Sequence, residues 1–292
     1  MSSFNIQNHA SNLAAGLSRI QNSTDAVTTR ISSGQRLDRP SRDSADTGLV
    51  AKLDSQQSRF GAVEVNLQNG VSRMQVTSSH LETLAQVVTR LSEIATLKQN
   101  ALQSASERAL YSEETAQLLS QLRQTIGGTQ DEIGGTTAVV SPLGQFDGAE
   151  LFGGGNPQTL AIGVGANDEL KLPVLNFRTG ALAAVLRQNA TGAFVFNADD
   201  SGAISALGAA LDQISQAQAQ VGSVQSRLEF AAGVATTART NQEAALSVIR
   251  DADIAAETTL KARLQILSEG HTAMLAQARD ATAKLLPLLS RS

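Results

Sequence analysis

Residues 260–288 read LKARLQILSEGHTAMLAQARDATAKLLPL. Within them Leu260, Leu264, Leu267, His271, Met274, Ala278, Ala281, Leu285 and Leu288 recur at alternating steps of four and three. That period lays them along one stripe of a helix and suits a coiled-coil seam. The other end of the chain has the same grammar. Ile6, Ala10, Leu13, Leu17, Ile20, Thr24, Val27 and Ile31 also step by four and three. Gly34 interrupts this first pattern, and Pro40 predicts a second break. The simplest packing for such a chain is a hairpin with adjacent termini. The two stripes can bury against each other or against other copies. Ala occupies several seam positions, so each stripe buries little area alone, and helices draw most of their stability from packing. Ordering these ends at a subunit interface would couple folding to assembly.

Inward from the ends, the spacing predicts more helix. A run from about 44 to 98 carries Leu67, Val71, Met74, Leu81, Leu84, Val88, Leu91 and Ile94. It would be roughly 80 Å long at about 1.5 Å per residue. A third helix is expected over 105–126, with Leu118, Leu122 and Ile126 on one side and Gly127-Gly128 ending it. Between about 127 and 203, glycine and phenylalanine concentrate. Thr159–Val164 and Glu169–Leu172 flank Asn167-Asp168 and predict a β-hairpin. Phe194-Val195-Phe196 is expected to form another short strand. Helix returns over about 201–249. The expected fold class is mainly α, with long antiparallel coiled-coil helices from both chain ends and a small central β-hairpin region. Three domains are expected. An inner coiled coil comprises 1–40 and 250–292, an outer helical bundle comprises 41–135 and 201–249, and 136–200 form a hairpin and loop region.

Composition narrows the function. Of 292 residues 41% are hydrophobic but only 3% aromatic, which favours thin helical layers over one thick core. A net charge of -4 argues against a nucleic-acid surface. Without cysteine there are no disulfides, thiolate metal sites or cysteine nucleophiles. Gly153-Gly154-Gly155 and Gly163-Val164-Gly165 lack the Lys-Ser/Thr of a phosphate loop. Asp199-Asp200 reads as a turn, and Asp251 with Asp253 as a helix start. Asn22-Ser23-Thr24 and Asn189-Ala190-Thr191 fit the N-glycosylation pattern, a motif short enough to arise by chance. His271 is expected as a tolerated seam residue and not a ligand. No catalytic, cofactor-binding or metal-binding residue is assigned, and the expected protein is not an enzyme. The polar start MSSFNIQNHASN precedes no apolar h-region, and no apolar run of about 18 residues occurs. The expectation is therefore no membrane partner and no cleavable signal.

Several segments, taken in order, resemble the bacterial flagellins. Arg30-Ile31-Ser32-Ser33-Gly34-Gln35-Arg36-Leu37 is similar to that family's R-L-S-S-G-x-R-I. Ser41–Leu49 carries the acidic residues that follow, here separated and preceded by Pro40. Asn69-Gly70-Val71-Ser72 resembles N-D-G-x-S, and Asp251–Glu257 resembles D-A-D-x-A-x-E. Gln265-Ile266-Leu267 and Thr272–Ala278 follow at the expected intervals, and Leu286-Pro287-Leu288-Leu289 stands where L-S-L-L does. In the middle, Phe146–Leu151 and Ile162–Asn167 resemble F-N-G-x-x-L and I-x-V-G-A-N.

The resemblance implies a filament subunit for swimming motility, a helical homopolymer of the short form without large variable outer domains. It implies an inner layer of terminal helices lining the filament channel. Packing between subunits would then fall to Leu13, Leu17, Ile20, Val27, Ile31, Leu260, Leu264, Leu267, Met274, Leu285 and Leu288. Gly34, Arg36, Asp43 and Gly48 would lie in a spoke where filament switching is accommodated. Thr89–Ala95 resembles Q-R-V-R-E-L-A, with Ser92 replacing its second Arg. This places Arg90, Ile94 and Glu114 at the family's patch for a host Toll-like receptor. Expected partners are the type III export apparatus with its chaperone, the filament cap and junction proteins, and the expected location is the extracellular flagellum. Two alternatives stand beside this reading. A hook–filament junction protein is favoured by Arg39-Pro40-Ser41, although 265–278 lean to flagellin. The other is a cytosolic coiled-coil adaptor, which would not polymerise.

Overall fold

The computed structural model describes residues 2–37, 43–100, 102–136, 138–139, 141–165 and 167–289, with side chains of the helical residues from 11 to 280. It is mainly helical, with small antiparallel hairpins in the middle of the chain. The stretch 38–42, with Arg39, Pro40 and Ser41, lies outside the described residues. Two compact units are formed, one from residues 1–58 and 240–292, the other from 59–239.

In the first unit the chain ends pair as the heptads allow. Helix α1 (Ser2–Ser33) packs along the last helix of the chain, Ile254–Leu289. The pair is antiparallel, since Arg30 meets Glu257 near one end and Gly16 meets His271 further along. Gly34 ends α1 with φ 68°, a conformation that costs glycine nothing, and its N–H bonds the Arg30 carbonyl at 2.9 Å. Helix α2 (Ser44–Lys98) begins just after Asp43 and contributes its first turns to this unit.

In the second unit the rest of α2 packs with α3 (Ala105–Ile126) and the 203–239 part of a long helix, Ala203–Arg250. Leu67, Met74, Leu81, Leu84, Val88 and Leu91 of α2 meet Leu119, Leu122 and Ile126 of α3 and Leu207, Ile214, Val221 and Leu228 of the long helix. Each fully buried Leu contributes about 1.5–3 kcal/mol of transfer free energy. Ser104 starts α3 with a capping box. Its backbone N–H donates to Glu107 Oε2 at 2.9 Å, and the Glu107 N–H donates to the Ser104 hydroxyl at 3.3 Å. The Ser104 N–H bond, and the Ser104 hydroxyl donating to the same oxygen at 2.8 Å, hold the Glu107 carboxyl below the usual carboxylate range.

The middle segment adds α4 (Gln130–Ile133), β1 (Gln145–Phe146), β2 (Ala149–Glu150), β3 (Thr159–Ala161), β4 (Glu169–Lys171) and α5 (Ala181–Leu186). The helices Ala203–Arg250 and Ile254–Leu289 are then α6 and α7. The β1–β2 hairpin turns at Asp147-Gly148, both at positive φ (50° and 72°), as a tight two-residue turn requires. The β3–β4 hairpin has the register Thr159↔Lys171, Leu160↔Leu170, Ala161↔Glu169. Its first strand is shorter than expected: the Gly165 N–H donates to the Asp168 carboxylate at 2.8 Å, and that side-chain bond closes the loop before the ladder extends past Ile162. Gly70 of α2 makes room for this hairpin: a Cβ there would lie 2.6 Å from Leu160 Cδ2.

The strand expected at Phe194–Phe196 is corrected to a single bridge, Gln188↔Phe194. The Asn189 side-chain oxygen accepts from the N–H groups of Thr191 and Ala193, both at 3.0 Å, and from the Thr191 hydroxyl at 2.7 Å. That side-chain turn closes 189–193 too tightly for a ladder to extend. Helices α4 and α5 had no periodic signal to announce them.

Candidate functional site

The chemistry of the described residues is that of packing surfaces. No group of three or more His, Asp or Glu side chains among them is arranged to hold a metal ion, and none of their helices is long and apolar enough to cross a membrane. The Asp199-Asp200 pair sits in a turn, with Asp199 bonded to the buried Lys98 amine at 3.1 Å. Asp253 caps α7, its carboxylate accepting from the Ala256 N–H at 3.0 Å.

The first surface is the α1–α7 seam. On α1 Leu13, Leu17, Ile20 and Ile31 are half-buried, and Val27 and Ala26 are buried. On α7 the half-buried side chains are Glu257, Lys261, Leu264, Ser268, His271, Leu275 and Ala278, a strict alternation of four and three. The expected α7 stripe is therefore divided. Leu264, His271 and Ala278 enter the seam within the chain. Leu260, Leu267 and Met274 stand beside it, 38%, 46% and 59% exposed, with Ile266 at 70%. Leu260, Leu267 and Met274, seven residues apart, form a second apolar edge along the same helix, and Ile266 lies about 100° round the helix from Leu267. Leu285 and Leu288 lie in α7, but their side chains are outside the described residues.

The second surface is the joint where the two terminal signatures meet. Arg30 holds Glu257 through two hydrogen bonds, Nε to Oε1 at 2.8 Å and Nη2 to Oε2 at 3.0 Å, with both side chains mostly shielded. The Ala252 N–H donates to the Gly34 carbonyl at 2.9 Å, and the Arg36 N–H donates to the Arg250 carbonyl at 2.7 Å. The Arg36 guanidinium binds the Ile249 carbonyl at 2.9 Å and the Asp46 carboxylate at 2.8 Å. It thus satisfies a carbonyl at the end of α6 and tethers the first turn of α2. Asp43 precedes α2, and its carbonyl accepts from Thr47. Gly48 lies inside α2, where the helix runs on without a break. The Ser247 hydroxyl donates to Asp251 at 2.7 Å and Arg250 adds a bond at 3.3 Å, which together hold the Asp251 carboxyl below the usual range. The Arg30–Glu257 pair and the carbonyls of 249–250 were not singled out in the sequence. The equal standing of Arg30 and Glu257 at the ends of their motifs was the one available signal.

In the second unit Arg90 and Glu114 come together at 2.8 Å, with Glu93 also on Arg90 at 2.9 Å. These carboxylates raise the Arg90 pKa further. Ile94 faces the core with no exposed surface, so it presents nothing to a partner beside Arg90. An apolar groove of about 670 Å³ lies between α6 and the β3–β4 hairpin, lined by Phe60, Ile162, Val164, Leu170, Phe230 and Val234. Phe230 is 76% exposed at its rim. At the α2–α3 turn Leu97, Leu102 and Leu110 are exposed as well.

The model of the bacterial flagellin N-terminal helical region matches residues 4–131, and that of the C-terminal helical region matches 204–289. The joint between 30–36 and 249–257 thus brings together one segment from each matched region. The chain belongs to the bacterial flagellin family. Among its relatives, flagellin FlaB1 of Treponema pallidum (strain Nichols) is 28% identical over 89% of this chain and 90% of its own. The flagellar filament 33 kDa core protein of Treponema phagedenis is 29% identical over the same shares. The flagellin of Bacillus subtilis (strain 168) is 27% identical, again over 89% and 90%. Flagellins are the structural subunits of the flagellar filament, and the described residues in the short middle segment of this one form small hairpins and short helices.

Proposed function

We propose that this chain polymerises into the flagellar filament by turning apolar edges of its terminal helices toward neighbouring copies. The observation that carries this reading is the line of Leu260, Leu267 and Met274 left exposed beside an α1–α7 seam that is already formed. A two-helix pair covers only one side of each helix, so Leu13, Leu17, Ile20 and Ile31 also keep part of their surface for a neighbour. Contacts of this kind join unlike faces of identical subunits and do not close, which generates a helical fibre. In this reading the terminal helices form the inner, channel-lining layer, 41–135 with 201–249 the outer bundle, and 136–200 its hairpin region. The stretch with Gly34, Arg36, Asp43 and Gly48 is the spoke between layers.

The second unit contributes an axial contact. Its groove opens near Phe60 and Phe230, and its exposed leucines lie at the α2–α3 turn. About 57 Å of helix separates Phe60 from Lys98 along α2. Seating the turn of one copy in the groove of the next would stack copies head to tail.

Further partners belong to the same reading and rest on the family resemblance. They are the type III export apparatus and chaperone, the filament cap, the junction proteins and a host receptor at Arg90 and Glu114. In this reading the product is an extracellular structural polymer and its role is assembly, not catalysis. Sedimentation of purified chain with and without filament seeds tests the core of the reading. Wild type pellets in a seed- and concentration-dependent manner, and Leu267→Asp stays in the supernatant. Normal growth by Leu267→Asp and Met274→Asp overturns the assignment of this edge.

A further inference from the structure

The chain holds three methionines and no cysteine, so thioethers are its only oxidisable sulfur. Their surroundings differ. Met74 is 2% exposed, inside the core of the second unit. Met1 lies outside the described residues. Met274 is 59% exposed on α7, in line with Leu260 and Leu267. A helical methionine leans back over the residues three and four before it. Four before Met274 stands Gly270, where a Cβ would meet open space. Gly270 therefore lays no side chain over the sulfur. This accessibility does not need the α1–α7 pair. It holds with α1 alongside, and a chain with unpaired ends exposes the sulfur further.

We propose that Met274 is an oxidation site that gates subunit addition: a chain with the thioether intact joins the fibre, and a chain carrying the sulfoxide does not. The co-reactant is a hydroperoxide such as hydrogen peroxide. The sulfur lone pair takes one peroxide oxygen, so an S–O bond forms as the O–O bond breaks. Sulfur gives up two electrons, and the other oxygen leaves as water. A flexible apolar side chain thereby becomes a polar one with an acceptor oxygen. Joining the fibre would carry that oxygen out of water beside Leu260 and Leu267, whose side chains offer it no donor. The contact that excludes the sulfoxide also covers the thioether, so subunits already in the fibre are shielded. The effect on growth rests on the filament reading proposed above, while the accessibility of the sulfur in the free chain does not.

The test treats the full-length free chain briefly with dilute hydrogen peroxide, so that part of it carries sulfoxide. Peptide mass mapping should find the added oxygen on Met274 well before Met74. The mixture is then offered to filament seeds, and pellet and supernatant are mapped separately. Met274 sulfoxide should be depleted in the pellet by about tenfold, the factor that about 1.4 kcal/mol of lost contact gives. Methionine sulfoxide reductases with dithiothreitol, which meets no disulfide in this chain, should return the supernatant chain to growth. Finished filaments given the same peroxide should keep Met274 unmodified for longer than the free chain does. The proposal is overturned if Met274 reacts no faster than Met74 in the free chain, if the pellet carries Met274 sulfoxide in the proportion offered, or if the depletion follows Met1 sulfoxide instead. It also falls if repaired chain does not grow, or if Met274 reacts equally fast in filaments. Failure of untreated chain to grow on seeds would remove the filament reading, and the gate with it. Growth of the sulfoxide form alongside arrest of Leu267→Asp would remove the gate and leave that reading standing.

Discussion

Arg178 shows how a single side chain organises the irregular middle of the molecule. It is 9% exposed, yet its guanidinium bonds Glu150 at 2.6 Å and the Ile126 carbonyl at 3.3 Å, and lies 3.6 Å from Glu132. It therefore ties the C-terminal end of α3 to the β1–β2 hairpin and to α4. Arg178→Met keeps the stem and removes the charge. It should destabilise the second unit by roughly 2–4 kcal/mol, read as a shift of the urea midpoint at unchanged slope. Asp251 makes a prediction about pH. Its folded-state pKa is depressed by the Ser247 hydroxyl and then by Arg250. Its contribution is therefore fully present above the ordinary carboxylate range and is lost as pH falls through the lower folded value. Amide exchange of Ala252, bonded to the Gly34 carbonyl, should accelerate as pH falls below the ordinary carboxylate range, beyond its intrinsic pH dependence. Asp251→Asn should remove that extra acceleration.

At the scale of elements, α7 carries more apolar surface than one partner can cover, and this separates two substitutions that look alike in sequence. Leu264 is in the seam, so Leu264→Asp should disturb the α1–α7 pair in the monomer and also stop growth. Leu267 is on the outer edge, so Leu267→Asp should leave monomer helicity by circular dichroism unchanged and stop growth alone. Equal loss of helicity in both variants would place Leu267 in the seam instead. The long helices were legible because a stripe at 3/4 spacing with Gly or Pro beyond its end leaves few other conformations. Which edge of a broad apolar arc faces the partner was not legible, because Leu260, Leu264 and Leu267 satisfy the heptad equally. Only the antiparallel register, held at Arg30 and Glu257, selects Leu264. For the same reason Ile94 read as a neighbour of Arg90 in sequence, while the helix turns it to the core. The turn at Asn189 and the junction at Arg178 were hidden because side-chain bonds build them, local ones at Asn189 and long-range ones at Arg178, and such bonds leave no period.

For the whole molecule, growth into a fibre needs two faces that match each other and do not match themselves. The second unit supplies such a pair, an apolar groove near Phe230 and exposed leucines at the α2–α3 turn, at opposite ends of the 59–98 part of α2. A charge at either end should block one face and leave the other competent. Phe230→Glu and Leu110→Glu change exposed residues, so each variant should keep the monomer's thermal midpoint within a few degrees, about what a surface change produces. Neither should elongate wild-type seeds in the way wild type does. If the groove of one copy receives the turn of the next, each variant retains one working end and should bind one end of a seed, then stop further addition there. Substoichiometric Phe230→Glu and Leu110→Glu should then cap opposite ends, distinguishable by electron microscopy of seeds with one end marked. Capping of the same end by both variants would mean that the two patches do not meet across subunits, and the axial contact would have to be sought on another face of the unit.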